Sequence, residues 1–442
     1  MERYEKYKDS GVEWIGEIPE GWEVKKLKYV ADANPSNVDK KSKDNEDSVL
    51  LCNYVDVYKN EFISSELNFM KATASNDQIT KFILKKGDVI ITKDSETPDD
   101  IAAPALVAES FDNVVCGYHL THIKPKNING DFLFRYFQSK YLNSYFEVSA
   151  NGVTRYGLSV DKISSALILN PPRPDQTTIA NYLDRKTAEI DKLIAQKERL
   201  LELYEEEKTA IINQAVTKGI DPDVKFKDSG IDWLGEIPEG WEVISLKRAT
   251  NIFRGKFGHR PRNDPEFYNG DYPFIQTGDV TNSDKYIKQF HQTLNEKGFS
   301  VSQEFPANTL VMTIAANIGD LAILSFKACF PDSIVGFYPS NGNSSEFLYY
   351  LFSSMKKVFL KVSTSNTQLN INIDRIAPLK ITIPPLSDQS AIVHHIETET
   401  ARINAKIAKT KRIIELQKEY RTALISEVVT GKIKVTTKEY YE

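Results

Sequence analysis

Residues 247–262 read KRATNIFRGKFGHRPR: six Lys or Arg and no acid, interleaved with Phe253, Phe257 and two glycines. That pattern suits neutralisation of a phosphate backbone, with Arg254, Lys256 and Arg260 supplying charge and Gly255 and Gly258 allowing close main-chain approach. A solvated basic loop is the plainer alternative. A weaker cluster, Lys25, Lys26 and Lys28, lies near the start. Two loops of small polar residues, SANGVTRYG at 149–157 and STSNTQLN at 363–370, carry Arg155 and Gln368. These side chains form paired hydrogen bonds with guanine and adenine edges in the major groove. An ordinary flexible loop is the alternative at both.

Catalytic patterns are missing from the sequence. It contains no GxxxxGK[ST] loop, no GxGxxG after a strand, no HExxH and no paired CxxC. NPPR at 170–173 partly matches the Asn-Pro-Pro-aromatic turn of amino-methyltransferases. Arg173 is not aromatic, however, the later copy reads IPPL, and no glycine-rich cofactor loop precedes either. The prolines are expected to end a strand before a helix. His394 and His395 sit beside Ile392 and Ile396, as partly exposed helix residues rather than metal ligands, and no metal site is expected.

The chain of 442 residues is long enough for two domains or more. Its 56 Lys plus Arg against 61 Asp plus Glu give a net charge of -5, so any nucleic-acid face must be local. Cys52, Cys116 and Cys329 are scattered and odd in number, which fits a reducing cytoplasm. A charged start and no apolar run of about 18 residues argue against secretion and membrane spanning, so a cytoplasmic location is expected.

The elements that must position these groups are set by an internal repeat. DSGVEWIGEIPEGWE at 9–23 returns as DSGIDWLGEIPEGWE at 228–242, with twelve of fifteen positions identical. PPRPDQTTIANYL from Pro171 answers PPLSDQSAIVHHI from Pro384, and AVTKGI from Ala215 answers VVTGKI from Val428. These later pairs are displaced by 213 positions and the opening pair by 219, so the second intervening region is shorter by six. The stretch after the prolines keeps one length. It predicts a long helix, with Asp175 or Asp388 capping the start and Gly219 or Gly431 stopping it.

The helical register is heptad-like. Leu183, Ile190, Lys197, Tyr204 and Ile211 fall seven apart with Ile194 and Leu201 between, and Ile396, Ile403, Ile407, Ile414 and Leu424 take matching places. Lys197, Lys208, Thr410 and Arg421 interrupt the seams. Leu193, Leu200, Leu203, Ile413 and Leu416 widen the stripe and leave surface for a further partner; packing only within its own domain is the alternative.

Between each opening motif and its helix, strand-like runs at 88–92, 119–125, 309–315 and 379–385 alternate with turns, and short helices are predicted at 130–146 and 346–362. The fold class is mixed α/β. Two globules with matched borders and divergent interiors, 1–174 and 219–387, are followed by helices 175–218 and 388–431 and a tail 432–442. Because the second globule starts where the first helix ends, the helices are expected to run antiparallel, with one globule at each end. The 40 residues from Gln176 to Ala215 span about 60 Å, at most about 18 base pairs of duplex.

The borders, GDVIIT in the first globule, GDYPFIQTGDV and NIGDLAIL in the second, the small loops with TRY and TQL, and PPRPDQ or PPLSDQ before each helix together resemble the specificity subunits of type I restriction-modification systems. The resemblance covers nearly the whole chain. It implies two target-recognition domains, each reading half of a bipartite site in double-stranded DNA, joined by a helical pair that sets the spacer. It places catalysis in other subunits: two methylation subunits dock on the repeated regions, and restriction and translocase subunits join them. No cofactor is then bound by this chain, and S-adenosylmethionine, ATP and Mg2+ belong to the partners. DNA-facing positions implied are Thr92, Lys93, Asn151, Thr154, Arg155 and Tyr156 in the first domain. In the second they are Arg254, Gly255, Lys256, Arg260, Thr277, Asn317, Asn366, Thr367 and Gln368. SETPDDIAAPALV at 95–107 departs from the second domain's AANIGDLAIL.

A stretch shared by two differently reading domains cannot carry their difference. Trp14, Trp22, Trp233 and Trp241 are therefore assigned to packing against a helix end or to a partner interface, with Leu193, Leu200, Ile413 and Leu416. Two other readings stay open: a self-sufficient methyltransferase or nuclease, and a coiled-coil adaptor without a DNA role.

Overall fold

The two repeated PPxxDQ segments start long helices because the prolines end a strand and then occupy or precede the first turn, where a missing N–H costs nothing. In the computed structural model, which describes residues 2–315, 317–365 and 369–436 apart from the side chains of 364, 365, 369 and 370, these helices are α1 (Arg173–Lys218) and α2 (Leu386–Val429). Asp175 and Asp388 fall within the first turn, where a carboxylate meets the positive end of the helix dipole. The glutamine of each motif is fully buried and explains the repeat. Gln176 Nε2 donates to Pro171 O at 2.7 Å while its Oε1 accepts from Asn129 N at 2.7 Å; Gln389 does the same with Pro384 O at 3.1 Å and Ser344 N at 2.9 Å. Each glutamine thus ties the strand end, the long helix and the N-terminus of a short helix (Gly130–Phe137 or Ser345–Ser354) together.

The chain divides into two units, Met1–Glu198 with Lys411–Glu442, and Arg199–Thr410. In the first, α1 and α2 segments are antiparallel: Arg421 holds Asp191 at 2.8 Å, and Lys418 lies 3.8 Å from Glu198. In the second, Arg402 holds Glu207 at 3.2 Å and Lys406 lies over Tyr204. The heptad positions form the seams. Leu183, Ile190, Ile194, Ile414 and Leu424 are buried in the first unit, and Ile396, Ile403 and Ile407 in the second, where Leu201, Tyr204 and Ile211 are half-buried. Two interruptions acquire roles, since Thr410 is buried and Arg421 makes the ion pair above. Among the described residues no helix is long and apolar enough to cross a membrane.

Each unit carries a five-stranded sheet. In the first, β1 (Ala31–Pro35), β2 (Phe62–Ile63), β3 (Val89–Thr92), β4 (Pro104–Val107) and β5 (Leu120–Pro125) lie in the order β1-β5-β3-β4-β2. In the second, β6 (Thr250–Arg254), β7 (Tyr286–Ile287), β8 (Leu310–Thr313), β9 (Leu321–Leu324) and β10 (Ile334–Pro339) lie in the order β6-β10-β8-β9-β7. Every neighbour pair is antiparallel except the last, which is parallel in both. The interiors that look divergent in sequence are therefore two copies of one sheet.

The opening motifs do the same work twice. Glu23–Lys26 pairs antiparallel with Leu167–Asn170, and Glu242–Ser245 with Lys380–Ile383, so each motif closes its globule against the strand that leads into a long helix. Trp22 packs on Gly431, just past the end of α2, and Trp241 on Gly219, just past the end of α1. A Cβ on either glycine would lie 3.1 and 3.3 Å from the indole, and both glycines have positive φ, 74° and 77°. Of the two assignments for these tryptophans, packing on a helix end holds for Trp22 and Trp241, which are buried; neither is available to a partner.

The predicted helices at 130–146 and 346–362 are each two. Ser139 caps a second helix (Lys140–Ser149), and Met355 separates Ser345–Ser354 from Lys356–Val362. Cys52 and Cys116, distant in sequence, are paired neighbours on parallel strands; both are fully buried, and burial pushes both thiols well above the usual range, so they are inert.

Candidate nucleic-acid interface

In the first unit the SANGVTRYG loop is a hairpin. Asn151–Gly152 pairs with Tyr156–Gly157, which pairs in turn with Asp94–Ser95 just beyond β3. Gly152 has φ 156°, and a Cβ there would sit 2.0 Å from Arg155 O, so the tight turn requires glycine. The turn projects Val153, Thr154 and Arg155 into solvent, with Asn151 exposed and Tyr156 half-buried at its base. Lys93 joins the hairpin to the sheet: its carbonyl accepts from Leu158 N at 2.9 Å, its N–H donates to His119 O at 3.0 Å, and its ammonium lies 4.8 Å from the Tyr118 ring.

Tyr54, stacked on Tyr58 at 5.6 Å, adjoins this surface. Its hydroxyl is held above the usual phenol range chiefly by burial, with Asp100 adding to it and Ser95 and Arg155 opposing. Thr92 is a correction. It is fully buried and its hydroxyl accepts from Ala103 N at 3.0 Å, so it supports the strand beneath Lys93 and cannot touch DNA.

In the second unit the basic segment continues β6. Gly255 is a second correction: it is buried, its N–H donates to Ile334 O at 3.0 Å, and a Cβ would lie 2.2 Å from Pro331 O. The close approach is therefore made by the chain's own turn. The arginines converge on Asp332. Arg254 Nε donates to its carbonyl at 2.9 Å, Arg260 reaches its carboxylate at 3.4 Å, and Arg262 bonds the other oxygen. Arg254, Lys256 and Arg260 remain exposed, and two guanidiniums on one carboxylate, with a third on its main-chain carbonyl, leave a positive surface.

Thr277 begins a short helix (Thr277–Thr281) whose capping box joins Gln276 and Asp279, and His291, largely exposed, holds Asp279 at 2.7 Å. Asn317 is exposed in the turn between β8 and β9, where its carbonyl accepts from Thr313. Asn366, Thr367 and Gln368 lie outside the described residues. His394 and His395 are exposed on α2.

Thus Lys93, Asn151, Thr154, Arg155 and Tyr156 come together on one surface, as do Arg254, Lys256 and Arg260 on another. Sequence reasoning missed Tyr118, His119, Tyr54 and Asp332, which share these surfaces. The partner positions fare differently. Trp14 is partly exposed, stacks on Tyr141 at 6.1 Å and lines a groove of about 1310 Å³ with Val148 and the end of α2; Trp233 is also partly exposed. Leu193, Leu200 and Ile413 are half-buried and Leu416 is exposed.

The model of the type I restriction modification DNA specificity domain matches twice, over residues 19–203 and 238–416. A putative type I restriction enzyme specificity subunit of Methanocaldococcus jannaschii, MjaX, is 24% identical over 430 residues, 96% of each chain. The EcoKI specificity subunit of Escherichia coli is 23% identical over 209 residues, 45% of this chain and 44% of its own. Among solved structures, a chain from a type I restriction-modification assembly superposes with a TM-score of 0.73 at 16% identity, covering 94% of this chain and 99% of that one. The HsdS subunit of Thermoanaerobacter tengcongensis gives 0.58 at 17%, covering 94% and 98%. With two copies of one sheet, two copies of one border and two matches to one domain, this chain belongs to the type I restriction-modification DNA specificity family.

Proposed function

We propose that this chain is the DNA-reading and scaffold subunit of a type I restriction-modification complex, each unit contacting one half of a bipartite duplex site. The observation that carries this is one sheet built twice and presenting different side chains: Lys93, Arg155 and a polar hairpin in the first unit, an arginine-rich rim in the second. Phosphate contacts fix position and base edges supply discrimination, so a common frame with different rims suits two unlike half-sites. The long helices then set the spacer.

The exposed Trp14 groove, Trp233, Leu193, Leu200, Ile413 and Leu416 would serve two methylation subunits, with restriction and translocase subunits completing the assembly. In this reading the chain is not an enzyme by itself, works in the cytoplasm and binds no cofactor; S-adenosylmethionine, ATP and Mg2+ act in the partners. Adenine methylation mapped in a host genome with and without this chain tests it. The expected result is a bipartite motif that disappears with the chain. Methylation by the purified chain alone, or a motif unaffected by its removal, would refute the reading.

A further inference from the structure

The turn entering β5 carries two side chains of the first unit, and we propose that Tyr118 and His119 read base edges of the first half-site. The inference rests on the function proposed above. His119 has φ 70°, a left-handed backbone uncommon in non-glycine residues, although histidine adopts it more often than most, and such residues gather at functional sites where their surroundings hold them. Three contacts enforce it: Tyr118 N donates to Val38 O at 2.8 Å, His119 O accepts from Lys93 N at 3.0 Å, and His119 Nδ1 bonds the Asp94 carboxylate. The strand-like run at 119–125 therefore begins at Leu120, and His119 belongs to the turn.

The conformation presents both side chains outward. Tyr118 is 49% exposed although aromatic, and its ring packs edge-on against the imidazole at 4.1 Å. With Nδ1 taken by Asp94, Nε2 is the nitrogen left for an incoming group, and the Tyr118 hydroxyl both donates and accepts. Lys93 lies over the tyrosine ring, supplying a cation beside these readers. Tyr118 and His119 also line a concavity of about 340 Å³ with Lys40, Asn53, Tyr54 and Met70; Asp94, which His119 bonds, pairs with Gly157 of the hairpin, so turn and hairpin share one surface. A phenol hydroxyl and an imidazole nitrogen can each donate to or accept from a base edge, the kind of contact by which the major groove is read.

The second unit supplies an independent observation. The topologically equivalent turn, between Ala328–Cys329 and β10, holds Asp332, onto which Arg254, Arg260 and Arg262 converge. One turn of one frame thus concentrates polar chemistry in both units with unlike side chains. That is the behaviour required of a specificity position.

The test uses the complex of this chain with its methylation partners and synthetic duplexes carrying the mapped site or single base-pair replacements throughout both halves. Tyr118→Ala and His119→Asn, the latter tolerant of left-handed backbone, are expected to lower discrimination about tenfold or more at one or two positions of one half-site. The other half-site should be read as before. Tyr118→Phe keeps the ring on Lys93 and removes only the hydroxyl, so it reports base reading with the fold intact; a smaller loss at the same position is expected. Unchanged discrimination at every position in all three variants, or equal loss at both halves, overturns the inference. If the unaltered complex methylates no bipartite site, the proposed function itself fails. If it does and the variants read the same bases, only the role of Tyr118 and His119 fails.

Discussion

Replacing Arg135 with Met tests how the first globule is fixed to the long helices. The side chain is 1% exposed, and its guanidinium donates to Asp184 of α1 at 2.8 Å, to Gln138 at 2.8 Å and to Glu61 at 3.3 Å, while lying 4.9 Å from the Phe134 ring. Glu61 also receives Arg421 of α2 at 2.5 Å, so Glu61 ties the globule to α2 while Arg135 ties it to α1. Hydrogen bonds to charged partners contribute about 1.5–3 kcal/mol each, and breaking a fully buried pair costs about 3–5 kcal/mol. Asp184 and Glu61, however, are 39% and 35% exposed and regain water when deserted, and Met refills part of the volume. About 2–3 kcal/mol is therefore expected, a lowering of the first unit's melting midpoint by roughly 4–12 °C. Scanning calorimetry of the full chain reads this, with the second unit's transition as internal reference. A double-mutant cycle with Glu61→Gln should give a coupling of about 1 kcal/mol or more. A shift below about 2 °C, or an equal shift of both transitions, would refute the reasoning.

Three further outcomes follow from the geometry. Gly431→Ala places a Cβ 2.5 Å from Pro19 at a φ of 74°, so the first unit should lose about 1–3 kcal/mol in chemical denaturation; an unchanged midpoint would contradict the helix-end packing. His122 is fully buried with Nε2 on Asp88 at 2.7 Å and no partner for Nδ1 among the described residues; burial outweighs the carboxylate and lowers its pKa. Below about 6.5 the unfolded chain binds a proton the folded one resists, so first-unit stability should fall as pH drops from there, and less steeply in His122→Gln; identical slopes would count against it. Arg155→Ala should reduce discrimination by about 1–3 kcal/mol at one half-site in methylation assays with the complex intact, and a broken complex would reassign the residue to structure.

Much of the frame was legible because it is repeated and periodic. The opening motifs, the PPxxDQ segments and the heptad positions all correspond to paired strands, buried glutamines and seams. The identity of the two sheets was not. Their strands are two to six residues long and mostly buried on both faces, so Val89–Thr92 and Leu310–Thr313 show no alternation to match. Polar chemistry formed across distance was also hidden: nothing in sequence brings Asp332 to Arg262, or Lys93 to Tyr118. Gly255 looked like a ligand-facing glycine because sequence cannot say which backbone makes the close approach. His119 was absorbed into a strand because a left-handed residue beside apolar ones carries no local signal.

The helix-end clamp has a topological consequence. In the second unit, Gly219 sits on Trp241 and the chain runs on through residues 220–225 into a hairpin, Phe226–Asp228 paired with Glu236–Pro238; in the first, Gly431 sits on Trp22 and Lys434 N donates to Glu2 O at 2.9 Å. The peptide link from helix to hairpin in the second unit thus has its counterpart in the first in a main-chain hydrogen bond between residues far apart in sequence. Cutting the chain within 220–224 should therefore leave the Trp241 clamp in place, since a main-chain hydrogen bond and an indole packed on a glycine hold its counterpart in the first unit.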